Sequence, residues 1–341
     1  MPYKIELWRD RGAPLNGRET AGMITYESLR QHPTAFRSFT GHTPEQFETV
    51  FALFLPAHRH RCAAAPTTKE GQPRQRAFGG GCHSRHDPRT RLLIALIWLR
   101  IYPTFEVLGF LFSLNKTNVH EAVMDQVATL ESLAEFPFER PTAERKKLRS
   151  LSAVMDAFPE VRLVIDAKEQ RIQRPKSSKE DDRQKPYYSG KKKCHTLKNE
   201  IAVQPDGTIG AVSESVPGGA VHDLTLQRQT RLIAQLDPED EAAMVDKGYD
   251  GIGNDYPHQA IYQPFKARRN RPLTQEQKAS NRHLSRYRII VEHTNAQLNQ
   301  FQVLSQVYRH ARTRHSQVVR AVAFLVDQRI RQRPLKSYPV A

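Results

Sequence analysis

Cysteine is nearly absent: Cys62, Cys82 and Cys194 are the only three in 341 residues, odd in number and far apart. No CxxC pair occurs, which excludes a disulfide framework and a zinc site built on paired cysteines. A reducing cytoplasmic setting is expected. Long apolar runs are also missing. The most apolar stretch, Leu92 to Leu99, lies between Arg91 and Arg100 and falls well short of the roughly 20 residues that span a bilayer. The opening MPYKIELWRDRG has no apolar signal core, so a soluble protein with no membrane partner is expected. Acidic residues are in deficit: 36 Asp and Glu face 52 Lys and Arg, a net charge of +16. That imbalance points to a polyanionic partner, nucleic acid first. An RNP-like aromatic motif is lacking, which argues against an RNA-binding module.

What is present is an ordinary globular composition, 38% hydrophobic and 26% charged, in a chain long enough for one large and one smaller domain. Residues 39–60 have a helical apolar period behind Thr43, a good cap. A loop rich in Gly, Pro and Arg is expected from 61 to 89, and then an apolar helix that Pro103 stops. Two short helical patterns follow, Phe105–Phe112 and Asn118–Leu130, separated by Ser113-Leu114-Asn115-Lys116, with Thr117 as the expected cap of the second. This spacing suits a helix-turn-helix, whose second helix would present Lys116, Thr117, Asn118 and His120 to a groove. It suits an αα-hairpin in a bundle equally well.

Beyond a linker at 136–159 the periodicity changes. Arg162–Asp166 reads as a short buried strand ending on an aspartate. Residues 194–203 and 208–213 flank Pro205-Asp206-Gly207, a strong hairpin signal. A helix is expected from Asp223 to Leu236, a second short strand at Glu241–Asp246, and a long helix from Thr274 to Gln302. This order predicts an α/β domain with a mixed sheet. VVRAVAFLVDQRIRQ near the end predicts a helix that covers the core and turns its arginines outward.

Asp166 and Asp246 each end a strand-like run, and Glu292 lies on the long helix beside Ile289, Val291 and Leu298. Three acids converging in so basic a chain repel one another unless cations join them. Mg²⁺ favours carboxylate oxygens, and an ion pair about 3.5–4 Å apart suits phosphodiester chemistry. Asp223 rivals Asp246 as the second ligand, although its place at the start of a helix is explained by capping.

The motifs Val164-Ile165-Asp166, Tyr187-Tyr188-Ser189-Gly190-Lys191-Lys192-Lys193 with His195-Thr196, Pro217-Gly218-Gly219 with His222-Asp223, Asp246-Lys247-Gly248-Tyr249, and Arg288 with Glu292 occur in order. Together they resemble the DDE transposases of bacterial insertion sequences, in the insertion-sequence family five-like branch similar to eukaryotic Harbinger elements. The resemblance covers about residues 39–310. It implies an RNase H-like α/β catalytic domain at 160–310, preceded by an N-terminal extension (1–38) and an all-α, helix-turn-helix-like domain (39–135). A basic C-terminal helix and tail would follow (311–341). It implies Asp166, Asp246 and Glu292 as catalytic residues binding two Mg²⁺ or Mn²⁺ ions. It implies double-stranded DNA as partner, both the element's terminal inverted repeats and a target, with a homodimer at work in the cytoplasm on the nucleoid. The sequence departs from the pattern at Ser285, where the family has tyrosine, and at Asn299, where it has lysine.

Basic residues cluster beside the proposed acids. Residues 171–200 hold ten Lys/Arg against four acids, and residues 266–288 hold eight against one. Arg174, Lys191, Lys192, Lys193, His195, Lys247, Arg282, Arg288 and Asn299 are the expected DNA contacts, with Arg286 and Arg309 nearby. Tyr187 and Tyr188 suit stacking on an unpaired base, though ordinary strand packing explains them slightly better. Two other readings keep the same surface: an RNase H-like nuclease without strand transfer, and a domesticated DNA-binding protein that has lost catalysis.

Overall fold

The computed structural model describes residues 24–64, 86–136, 158–176 and 184–333. Most of the expected loop at 61–89, Cys82, nearly all of the linker and parts of the basic stretch and the two ends lie outside the described residues.

The first part is helical. Thr25 caps α1 (Tyr26–Arg30) in a reciprocal box with Ser28. Pro33 opens α2 (Pro33–Thr40), which Gly41 closes in the left-handed region at φ 79°. Thr43 and Gln46 bond each other's backbone N–H at the head of α3 (Pro44–Ala64). Phe47, Val50, Phe51 and Phe54 follow at helical spacing, and all four are buried. In α4 (Pro88–Ile101) the Asp87 carboxylate caps two N–H groups, and every residue from Leu92 to Leu99 is buried. The most apolar run of the sequence is thus a fully enclosed helix, which is why it lacks a polar face. Helix α5 (Phe105–Phe112) keeps its expected limits. Helix α6 (Lys116–Ser132) starts earlier than expected and is capped by Asn115, whose Oδ1 accepts from Asn118 N at 2.8 Å; Thr117 lies inside its first turn. Among the described residues no helix is long and apolar enough to cross a membrane.

The second part is a seven-stranded mixed sheet. Its centre is β1 (Val161–Arg171), antiparallel to β3 (Cys194–Val203) and parallel to β6 (Ala242–Met244), which is parallel to β7 (Ala260–Tyr262). The far side of β3 is lined by β2 (Tyr188–Ser189), β4 (Ile209–Val212) and β5 (Val216–Pro217). The β3–β4 hairpin turns at Asp206-Gly207, with Gly207 at φ 85° and Asp206 Oδ1 accepting from Thr208 N. Strand β1 outruns its apolar signal: the expected strand stops at Asp166, whereas pairing with β3 carries the ladder on through polar residues to Arg171.

Side chains alternate along β1. Val164 joins the core formed with Ile290, Val291 and Leu298, while Leu163 and Ile165 face a second core around Leu232, Ile233 and Tyr249. Helix α7 (Asp223–Thr230) lies on the second face. The first face is covered by α9 (Gln275–Asn299) and α11 (His315–Arg331); the short helices α8 (Ile252–Asp255) and α10 (Gln302–Ser305) complete the set. One apolar core runs from the amino-terminal helices through α11, which packs on both α6 and β4, into the sheet.

The arginines of α11 do not turn outward as expected. Arg320 donates to Glu131 and to the carbonyls of Val212 and Ala134, Arg329 reaches the carbonyl of Gly41, and Arg331 pairs with the buried Asp327. A helix enclosed on several sides must bring its polar groups to internal partners.

Candidate active site

Strand pairing creates the site. Val164 pairs in register with Met244 on the parallel neighbours β1 and β6, so the residues two positions further, Asp166 and Asp246, share one face on chains about 4.8 Å apart. Asp246 lies just past β6, where its carboxylate accepts from Lys247 N at 2.6 Å and pairs with the Arg288 guanidinium at 3.2 Å. Asp166 accepts from Asn295 Nδ2 at 3.0 Å. Burial above all pushes the Asp166 carboxyl above the ordinary aspartate range, and the charges of Asp246 and Asp223 add to the shift while Arg288 opposes it.

Both holding groups come from α9. Arg288 and Asn295 are seven positions apart, two helical turns, and Glu292 stands between them, four residues beyond Arg288 and three before Asn295. One stripe of α9 therefore carries Arg288 to Asp246 and Asn295 to Asp166, with the exposed Glu292 on the intervening turn.

Asp223 is not a cap. It is the first residue of α7, behind a cap position held by His222 that makes no side-chain capping bond. Its carboxylate instead accepts from Lys198 Nζ at 3.1 Å, and Lys198 also pairs with Glu169 and donates to the Val221 carbonyl. Glu169 alternates with Asp166 and Lys168 along β1, so this ion-pair group belongs to the α7 face of the sheet. Gly248, in the turn after Asp246, is packed against Asp223: a Cβ there would lie 2.3 Å from its Oδ2. On the same face Glu200 is fully buried, accepts from Thr230 Oγ1 at 2.5 Å, and is pushed up to about 7, chiefly by burial.

These groups fit a hard divalent cation. The donors are carboxylate oxygens, burial together with the Asp246 charge already raises Asp166, and the buried Oδ1 of Asn295 has no hydrogen-bond partner. Asp166, Asp246 and Glu292 are the groups that would hold it. Their oxygens do not all lie within 4.8 Å of one another; among the described residues the group whose ligand atoms do is His58, Cys62 and Asp125 in the helical part. There Arg61 and Arg91 both pair with Asp125 and already neutralise it.

The expected DNA-contact residues divide into two sets. Lys191, Lys192 and Lys193 are exposed on the turn between β2 and β3, Lys247 is exposed next to Asp246, and Arg282 is exposed on α9. Tyr188 is 46% exposed beside His195, whereas Tyr187 packs against the core beneath the Arg312 guanidinium, 4.6 Å from its ring centre. Arg174 bonds Gln184, Arg288 is committed to Asp246, and Asn299 accepts from Lys168 Nζ. At the head of α6, Lys116 pairs with Glu106 at 2.5 Å, Asn118 gives its N–H to the cap, and His120 meets Phe105 edge-on. A cleft of about 460 Å³ gathers Lys116, Thr117 and His120 with Arg309 and His310.

Asn295 and Lys168 did not stand out in the sequence. Seven-residue spacing from Arg288 was the only signal for Asn295, and it means nothing until the helix is known to face the sheet. Lys168 sits two residues after Asp166, a strand spacing hidden because the apolar pattern ends at 165.

Residues 165–327 match the DDE superfamily endonuclease family. The chain is 30% identical, over 225 residues, to a probable transposase for insertion sequence element IS702 from Microchaete diplosiphon; the match covers 66% of this chain and 74% of that one. A chain in the crystal structure of a pre-cleavage Mos1 transpososome aligns over 76% of this chain and 99% of its own, at 11% identity and a TM-score of 0.21, too remote to add to the assignment. With its matched domain spanning both aspartates and the α9 stripe, the chain belongs to the DDE transposases of insertion sequences.

Proposed function

We propose that this enzyme cuts DNA at the terminal inverted repeats of its element and joins the freed ends to target DNA, with Asp166, Asp246 and Glu292 as catalytic carboxylates. The observation that carries this reading is the α9 stripe. Its two flanking residues bond the two aspartates, and the third acid lies between them. The strand order β3-β1-β6-β7, with β1 parallel to β6 and antiparallel to β3, supports an RNase H-like reading of the catalytic domain. The basic surface around Lys191, Lys192, Lys193, Lys247 and Arg282 would carry the DNA strands, and α5–α6 with the Lys116–Arg309 cleft would dock duplex DNA as a helix-turn-helix-like unit. A dimer would pair two element ends, on nucleoid DNA in the cytoplasm.

Each residue has a physical task in this reading. Asn295 fixes the rotamer of Asp166, Arg288 holds Asp246, and the unpaired Asn295 Oδ1 can accept a water proton beside them. When bound, two Mg²⁺ or Mn²⁺ ions supply Lewis-acid stabilisation of charge at the scissile phosphate and lower the pKa of the attacking hydroxyl. Asp223, held by Lys198, acts on Asp166 through its charge rather than as a ligand.

The test is cleavage of DNA carrying the element's own ends, with Mg²⁺ or Mn²⁺. Wild type is expected to cut and Glu292→Gln to lose at least about 1,000-fold in rate, while Asp223→Asn keeps measurable cutting. Binding without cutting by wild type would favour a repurposed DNA-binding protein. Cutting without joining would favour a plain nuclease. Loss of cutting in Asp223→Asn with retention in Asp246→Asn would reverse the ligand assignment.

A further inference from the structure

We infer that Lys168, presented by Asn299, is a phosphate-binding residue of the active site that grips the DNA backbone next to the scissile linkage. The inference rests on the transposase reading above. Lys168 follows Asp166 by two residues on β1, so both side chains leave the same face, about 6.6 Å apart along the strand. The α9 stripe repeats this spacing. Asn295 donates to Asp166, and one turn further on Asn299 accepts from Lys168 Nζ. The next residue on this face, Gln170, is buried and bonded to the carbonyls of Val303 and Gln306, so Lys168 is the last side chain of the row that reaches solvent.

The surroundings of Lys168 call for an anion. Its hydrogen-bond partner is a neutral amide, and among the described residues it forms no ion pair. Asp166 lies near enough to attract it, and Lys192, from the exposed turn between β2 and β3, near enough to repel it. An ammonium carries three donors, and Asn299 uses one. The other two would serve a phosphate oxygen of a polynucleotide threading between Asp166 and Lys192. Carboxylates that hold cations and a lysine that holds the adjacent phosphate are the two halves of one strand-binding track. The bond to Asn299 limits the rotamer freedom of the long lysine side chain.

The test compares wild type, Lys168→Asn, and the exchanged pair Lys168→Asn with Asn299→Lys, which returns the cation from the helix side. Each is measured for Mg²⁺-dependent cutting of end-bearing DNA at varied DNA concentration and for DNA affinity against salt. Lys168→Asn is expected to cut about 100-fold more slowly and to lower the salt slope of binding by about one, and the exchanged pair is expected to recover most of both. Lys168→Asn that cuts like wild type, or an exchanged pair that melts like wild type yet recovers nothing, overturns the inference. If wild type itself does not cut, the transposase reading fails on that result alone. The salt slope then still decides: a drop of about one in Lys168→Asn upholds the phosphate contact, and an unchanged slope refutes it.

Discussion

The local arrangement around Asp166 sets a demanding role for one amide. Asn295 donates to the carboxylate through Nδ2 and leaves Oδ1 buried and unpartnered, a cost of about 1–3 kcal/mol in an apolar setting. Such a group persists where something else constrains it, here the need to orient Asp166. Asn295→Ala is expected to fold and to bind end-bearing DNA like wild type, yet to cut it about 10- to 100-fold more slowly, as loss of a ligand-orienting contact does. Equal cutting rates in a single-turnover assay would show that Asp166 needs no such support. Neither Asn295 nor Lys168 was legible in the sequence, because an amide seven residues from an arginine and a lysine two residues from an aspartate are common by chance. The aspartates were legible because each ends an apolar strand signal and belongs to a longer motif.

At the level of single elements, reading the sequence succeeded where local chemistry dominates. Helix α5, the β3–β4 hairpin and the Thr274 start of α9 follow from caps, period and an Asp-Gly turn. It faltered where pairing partners decide: β1 runs on through Lys168 and Arg171 because β3 lies alongside, and β7 is too short to announce itself. The arginines of α11 are the sharpest case. Asp327 accepts from Ile209 N at 2.9 Å and from Arg331 Nε at 2.6 Å, so one buried carboxylate ties α11 to the end of the β3–β4 hairpin. Breaking a buried pair typically costs about 3–5 kcal/mol, so Asp327→Ala is expected to lose about 3 kcal/mol of stability with Asn295 and Asp166 left in place. Denaturant titration checks this; a midpoint within error of wild type would mean the tie is not a stabilising one.

For the molecule as a whole, three histidines lie where the helical part meets the sheet. His42 is fully buried between the carbonyls of Thr40 and Leu325, His310 packs against Trp98 and Phe105, and His315 lies between Ser215 and Gln170. Burial drives all three below the ordinary histidine value, His42 and His310 to about 4 and His315 to about 3. The folded state therefore resists a proton that the unfolded chain takes up near 6.5, so their contribution is fully present above pH 6.5 and drains away as pH falls toward 4. The melting temperature is expected to fall markedly between pH 7 and pH 5, and His42→Gln is expected to flatten that slope. A slope unchanged in the variant would assign the acid sensitivity elsewhere.

By itself the sequence determined the basic character, the α/β order, the hairpin, most helices and the aspartates, since composition, period and caps act within a few residues along the chain. Tertiary structure alone decided that Asp223 is bound to Lys198 instead of capping a helix, that Arg288 pairs with Asp246, that Asn295 bonds Asp166 and that Lys168 bonds Asn299. Those outcomes depend on which strands lie side by side and on which turn of α9 meets them. That register is set by packing among residues from 25 to 131 positions apart, to which no local pattern is sensitive.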